Sequence, residues 1–218
     1  MHMNKNFILR CFVFVLGVIV NSFGIAFITK AMLGTSPISS VPYVLSLKFA
    51  PTFGIFTFII NVGFVFLQFA LLRKDFHKVQ FLQLAVTFIF ASCIDVSMWI
   101  LSDFVPPGFV IKFVSLVVGC AILGMGIVLE IYAKVLLVPG EGVVWTISQI
   151  FDKEMGTVKI CFDVTLVATA IVISFIFFHG LNGLGLGTIV SAIAVGMFVK
   201  IFNKLFKPFE RWLDQAYA

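Results

Sequence analysis

The sequence predicts an all-α polytopic membrane protein, with six transmembrane helices arranged as a 3+3 inverted repeat and two re-entrant half-helices. Three observations carry this expectation. The 218 residues are 61% hydrophobic and only 11% charged, with a mean hydropathy of +1.15, a balance that excludes an ordinary soluble domain. Six apolar segments are each long enough to cross a hydrocarbon core of about 30 Å, which takes roughly 20 helical residues. The chain also matches itself at a shift of 102 positions, without a gap from Arg10 to Val62. That shift superposes Gly17 on Gly119, Gly24 on Gly126, Ala31 on Ala133, Pro37 on Pro139, Ser46 on Ser148 and Gly54 on Gly156. About eleven pairs are identical, well above what so biased a composition gives by chance.

The segments fall near 7–32, 54–73, 79–101, 108–134, 157–178 and 184–205. Backbone in lipid has no water to bond, so these runs must be helices, and the alternation of a barrel strand is absent. The chain reads as a single transmembrane domain over 1–218, with repeat 1 about 7–101, repeat 2 about 108–206 and a short cytoplasmic C-terminal tail at 207–218. Three crossings per repeat turn the second copy upside down, an arrangement that transporters build around broken helices. The first apolar stretch is too long for the core of a removable signal peptide, and no clean cleavage site follows it.

Charge orients the segments. Lys5, Arg10, Arg73, Lys74, Lys78, Lys134, Lys153, Lys159, Lys200, Lys204, Lys207 and Arg211 fall on one side, and only Lys30, Lys48 and Lys112 on the other. This bias predicts a multi-pass protein of the bacterial cytoplasmic (inner) membrane with both termini in the cytoplasm. The net charge of +5 then reflects topology and attraction to anionic lipid rather than nucleic-acid binding. Cys11, Cys93, Cys120 and Cys161 have no metal-like or paired spacing. No phosphate loop, metal motif or nucleophile elbow is present, so no cofactor and no metal are expected.

Between the first two crossings, Ser36 before Pro37 is a helix start. The helix can run only to about Phe49, before Pro51, which gives about 20 Å at 1.5 Å per residue, too short to cross. The second copy, from Pro139 through Gly140, Glu141 and Gly142, has the same start and length. A helix amino end leaves unpaired N–H groups and partial positive charge that attract an anion. Thr35, Ser36 and Ser39 add hydroxyls at the first mouth. Glu141 stands at the second, where it favours the dipole and opposes an anionic ligand. Tyr43 and Trp145 occupy equivalent positions on the two short helices and are candidates to line a cavity.

Carboxylates inside apolar runs are costly unless paired or hydrated, and mark function or internal pairing. Asp163 lies four residues after Lys159, so the two can meet on one helix face; the equivalent positions hold Thr57 and Asn61. Glu130 stands four residues before Lys134 and can pair likewise. Asp95 lies in the third segment, where one deletion aligns Thr87 and Ala91 with Thr188 and Ala192. The candidate substrate residues are therefore Thr35, Ser36, Ser39, Tyr43, Asn61, Gly140, Glu141, Gly142, Trp145 and Thr188. Asp163, Lys159, Asp95 and Glu130 are the candidates for coupling or counter-charge.

Three strings carry a resemblance over most of the chain: Ala31 through Pro37, Pro139 through Gly142, and Gly185 through Thr188 with Gly196. In this order they resemble the YczE/YyaS/YitT family of bacterial integral membrane proteins, most closely its YczE-like branch. The resemblance implies a polytopic inner-membrane protein of transporter type with no secure substrate. That branch looks like it carries an Arg-rich stretch before the fifth crossing and an acid within it. Only Lys159 and Asp163 match here, so no anion-clamping arginine carries over.

The expected function is passive or proton-coupled transport of a small polar or anionic organic solute. Two alternatives stand beside it: a substrate-capture subunit of a multi-component importer, and a lipid-handling or structural membrane protein. A cavity open sideways to lipid and lined by Phe would favour lipid handling, and a closed polar cavity would count against it. The expected partners are a small-molecule substrate and membrane lipids, with a homodimer or a separate energising subunit left open. An enzyme is the least favoured class, because no nucleophile–base pair or metal set can be assembled.

Overall fold

The computed structural model describes residues 5–215. Residues 1–4 and 216–218, the extremes of the domain and tail delimited above, lie outside the described residues. Among the described residues the chain is mostly helical and has no strand. Its α-helices are α1 (Lys5–Lys30), α2 (Ser40–Lys48), α3 (Phe53–Leu72), α4 (Leu82–Ile100), α5 (Gly108–Ala133), α6 (Pro139–Phe151), α7 (Met155–Phe178), α8 (Leu186–Leu205) and α9 (Lys207–Gln215). Six stretches are long and apolar enough to cross a membrane: Phe7–Lys30, Phe53–Leu72, Val79–Ile100, Gly108–Ala133, Met155–Phe178 and Leu186–Leu205. Each end falls within two residues of the segment read from hydropathy.

The centre of the bundle is the pairing of α1 with α5, the most extensive in the molecule. The two helices run antiparallel: Gly17 lies against Glu130 and Gly126, Asn21 against Gly126, Gly24 against Leu123, and Ile28 against Gly119. Glycines seven residues apart share one helix face, so Gly17 and Gly24 on α1 meet the face of Gly119 and Gly126 on α5. A Cβ at Gly17 or Gly119 would come within 2.9 Å of a backbone nitrogen, and one at Gly24 or Gly126 closer still. Hydrophobic burial does not drive helices together in lipid, and small residues that let backbones approach take over that part. Accordingly α1 and α5 are the most buried spans, and Ile25, Ile28, Leu116, Cys120 and Leu123 form a core cluster between them.

The other spans flank this pair. The helix α4 lies on α1 and α8 lies on α5. The short helices cross over: α2 packs on α7 and α3, while α6 packs on α3 and α7. The helix α3 is joined closely to α4, whereas α7 and α8 are barely in contact. The segment read as a short tail contains α9, which docks through Phe209 and Leu213 beside Val13, Phe14 and Tyr132. Arg10 fixes it there, donating to the Leu213 carbonyl at 3.3 Å and to the Tyr132 and Ala133 carbonyls at 3.2 and 3.3 Å.

The chain leaves α1 through Met32 (φ 57°) and Gly34 (φ 132°). A side chain at Gly34 would be strained there and would strike Thr188. This turn lets the Leu33 carbonyl accept from Gly187 N–H at 2.7 Å, and Thr35 N–H reach Thr188 Oγ1 at 3.3 Å. The glycines of the 182–188 run therefore admit the loop before α2, since Gly185 and Gly187 both abut the Leu33 carbonyl.

The seam is testable by size. Gly24→Leu should cost about 1–3 kcal/mol or more through overpacking, read as a lower temperature for loss of monodisperse protein in detergent. Gly63→Leu, at a position with no atom within 4 Å, should leave that temperature unchanged. Equal melting of the two variants would mean that the α1–α5 contact is not the central support.

Candidate functional site

Both short helices begin as the prolines dictate, with one difference. Pro139 opens α6 directly at its first position, and Gly142 N–H bonds the Val138 carbonyl at 2.9 Å. Pro37 opens a single 3-10 turn, Pro37–Ser39, before α2 begins. The Ser36 hydroxyl does not cap this turn but donates to Ser39 Oγ at 3.0 Å, and Ser40 Oγ donates to the Pro37 carbonyl at 2.6 Å. The amino ends approach each other: the Ile38 side chain lies against Gly140, where a Cβ would collide with it.

A cavity of about 540 Å³ opens beside this meeting point, walled by residues of every helix from α1 to α8. Ser36, Pro37 and Ser39 come from the first mouth, and Pro139, Gly140 and Glu141 from the second. Thr57 and Asn61 of α3, Thr87 of α4 and Ser191 of α8 supply further polar groups; the remaining wall is mostly aliphatic. A concave, largely apolar space with a few converging polar groups is the usual form of a small-molecule site, typically about 300–1,000 Å³.

The charged group in this space has three members. Lys159 Nζ lies 3.0 Å from Glu141 Oε1 and 3.1 Å from Asp163 Oδ1. The i, i+4 spacing brings Lys159 and Asp163 together as the sequence suggests, and α6 adds the second carboxylate. Because one ammonium serves two carboxylates, this group carries a surplus negative charge, and each of its side chains is about a quarter exposed. Glu130 also lines the cavity and accepts from Asn21 Nδ2 at 2.9 Å; Lys134 reaches Glu210 at 3.9 Å.

Of the sequence-predicted residues, Ser36, Ser39, Asn61, Gly140, Glu141, Lys159, Asp163 and Glu130 border the cavity. The others lie behind it or away from it. Thr35 is fully buried and exchanges a hydrogen bond with Thr29 Oγ1 at 2.8 Å, and its N–H holds Thr188. Gly142 abuts the Gln68 amide. Tyr43 packs on Phe53, with ring centroids 5.3 Å apart, and against Gly183. Trp145 is exposed outside the lining. Asp95 binds the start of α3: Gly54 N–H donates to its Oδ1 at 2.7 Å and Thr52 Oγ1 to its Oδ2 at 2.5 Å. Thr52 also caps the helix by accepting from Ile55 N–H at 3.1 Å. Asp95 thus satisfies the free amides of a neighbouring helix, which accounts for a carboxylate at that depth.

Sequence reasoning missed five contributors. Asn21 is 109 positions from Glu130 and gives no local signal of the pairing. Gln68 and Gln83 bond each other at 3.1 Å, and Gln68 Nε2 donates to the Pro139 carbonyl at 3.1 Å. Two amides inside apolar runs were the available clue to that contact. Lys200 was read only for its orientation charge, yet it lines the cavity. Thr87 is 1% exposed, lines the cavity, and its hydroxyl has no partner.

Residues 8–204 match a family described as a family of unknown function (DUF6198), and the chain belongs to it. No curated protein and no solved structure matches the chain.

The assignment of Asp95 can be checked directly. Asp95→Ala should lower stability by about 1–2 kcal/mol, the cost of a lost helix cap with a charged acceptor, and Asp95→Asn should recover part of it. Thermal melting in detergent reads both. Unchanged melting of Asp95→Ala would free this carboxylate for another role.

Proposed function

We propose that this family member is a transporter of a small polar or anionic organic solute across the bacterial inner membrane, working passively or with proton coupling. Each half of the chain contributes three crossings and one re-entrant half-helix. The halves are inverted relative to each other, and both termini are cytoplasmic. The observation that carries the reading is the pair of short-helix amino ends facing one cavity that also holds Lys159, Glu141 and Asp163.

The inverted arrangement draws support from the helix contacts. Exchanging each residue for its equivalent 102 positions away turns the contact of Gly17 with Glu130 into that of Gly119 with Ile28. The same exchange turns Asn21 with Gly126 into Leu123 with Gly24, and all four contacts are present. Ile38 and Gly140, which touch, are themselves equivalents, as expected for residues on a pseudo-two-fold axis. The cross-packing of α2 on α7 and of α6 on α3 obeys the same exchange.

In this mechanism the exposed amides of the half-helices and the Ser36 and Ser39 hydroxyls hold the solute's polar group. Lys159 neutralises an incoming acid when a carboxylate releases it, and Asp163 takes or gives the coupled proton. Rocking of one half against the other exposes the cavity alternately to the two sides.

The test uses the purified full chain in liposomes with an entrapped pH dye, offering short carboxylates and amino acids as probes. Wild-type protein should move protons when a transported probe is added. Asp163→Asn should lower that flux by about tenfold or more, the effect of about 1.4 kcal/mol from one charged contact, without reducing folded protein. Full flux in Asp163→Asn would remove Asp163 from the mechanism. Absence of flux for every probe in the wild type would overturn proton-coupled carriage by this chain alone.

A further inference from the structure

The two halves differ at one seam. In the first half, α3 closes on α4: a Cβ at Gly54 would run into Ala91 and Asp95, and Ala91 is only 5% exposed. The equivalents of these residues are Gly156 on α7 and Ala192 and Gly196 on α8. Here nothing closes. A Cβ at Gly196 meets no atom within 4 Å, and one at Gly156 meets only its neighbour Glu154 at 3.6 Å. Gly156, Ala192 and Gly196 all line the cavity, and Ala192 and Gly196 are exposed. The result is a slot along the side of the bundle, and its lips carry Ile160, Ile193 and Met197, each more than half exposed.

A second difference points to a ligand. Thr188 Oγ1 of the second half accepts from Thr35 N–H of the first at 3.3 Å. Its equivalent is Thr87, which is 1% exposed and lies on the cavity wall with its hydroxyl unpartnered. A buried hydroxyl without a partner is costly, and a ligand group in the cavity would satisfy it.

We propose that the slot between α7 and α8 is a side entrance from the lipid, and that the cavity's ligand is a zwitterionic amphiphile with one alkyl chain. An apolar slot facing hydrocarbon fills with hydrocarbon rather than water. Paired small residues normally let two helices touch, and here they leave a gap that an alkyl chain can occupy. The cavity's 540 Å³ suits one head group and one chain. Moving a chain from lipid into an apolar slot changes its surroundings little, so selectivity falls to the head group. The lining holds three carboxylates, Glu130, Glu141 and Asp163, against two lysines, Lys159 and Lys200. Two helix amino ends add partial positive charge, so groups of both signs face the site. A head with one basic and one acidic centre matches that distribution.

The proposal rests on reading the cavity as a ligand site, and the experiment separates the two. Phe90 lines the cavity from α4 and is half-buried, so Phe90→Trp in a background of W99F, W145F and W212F reports from inside. A protein keeping only Trp99, which is 77% exposed, reports from the lipid-facing surface. Both are placed in liposomes and titrated with chain-brominated lysophosphatidylcholine, chain-brominated phosphatidylcholine or aqueous iodide. The expected result is quenching of the F90W indole by the single-chain lipid. Glu141→Gln with Asp163→Asn should raise the half-quenching concentration about tenfold, the loss of a charged contact, without altering Trp99 quenching. Equal quenching by the two-chain lipid overturns the single-chain assignment. No change with the double substitution overturns the head-group assignment. Quenching by iodide alone overturns the lipid entrance and leaves the carrier reading standing; quenching by none of the three overturns both.

Discussion

Close backbone approach between α1 and α5 is the constraint on which the other helix positions depend. In lipid the apolar side chains of two helices gain little by leaving hydrocarbon, so attraction depends on the area of direct contact. Four glycines, two on each helix, remove the side chains that would hold the helices apart. The axes then lie close enough for Asn21 on one helix to hold Glu130 on the other. Both flanking spans, α4 and α8, are referred to this pair, and α9 is seated on its end by Arg10.

A helix too short to cross must place its ends inside protein, because lipid cannot satisfy free amides and carbonyls. The contacts of α2 and α6 follow from that need. Gln68, itself paired with Gln83, bonds the Pro139 carbonyl, and the loop before α2 is tied to α8 through Leu33 and Thr35. Each short helix lies against one span of each half, α3 and α7. That shared packing connects fold to site: the cavity lies where the two short helices bring their amino ends together.

The spans and the two proline-led short helices were legible because their signals are local. A run of apolar residues sets a span, and a serine–proline or valine–proline step sets a helix start. The i, i+4 pair of Lys159 and Asp163 was legible for the same reason. What escaped the sequence depends on tertiary meeting. Glu141 joins Lys159 only because α6 folds onto α7, and Asn21 meets Glu130 only across the glycine seam. Asp95 resembled a functional acid, since its partners at Thr52 and Gly54 are some forty positions away. The glycines carried their signal in plain sight: the seven-residue spacing that supported the repeat is the spacing that forms the seam.

Near-equivalence with a local exception is more informative than strict equivalence would be. If both halves carried Gly54's arrangement, α7 and α8 would close as α3 and α4 do. At the position corresponding to Asp95 the second half has Gly196, which carries no carboxylate to receive the amides at the start of α7. Glu154 stands at the position of the cap Thr52 instead, and it makes no side-chain cap. The start of α7 therefore lacks the polar clamp that binds α3 to α4, and nothing at the glycine pair replaces it by packing. The same stretch of α7 carries Lys159 and Asp163. The charged group thus stands on the helix that borders the unpacked glycine pair, and Lys159 ties that helix to α6 through Glu141.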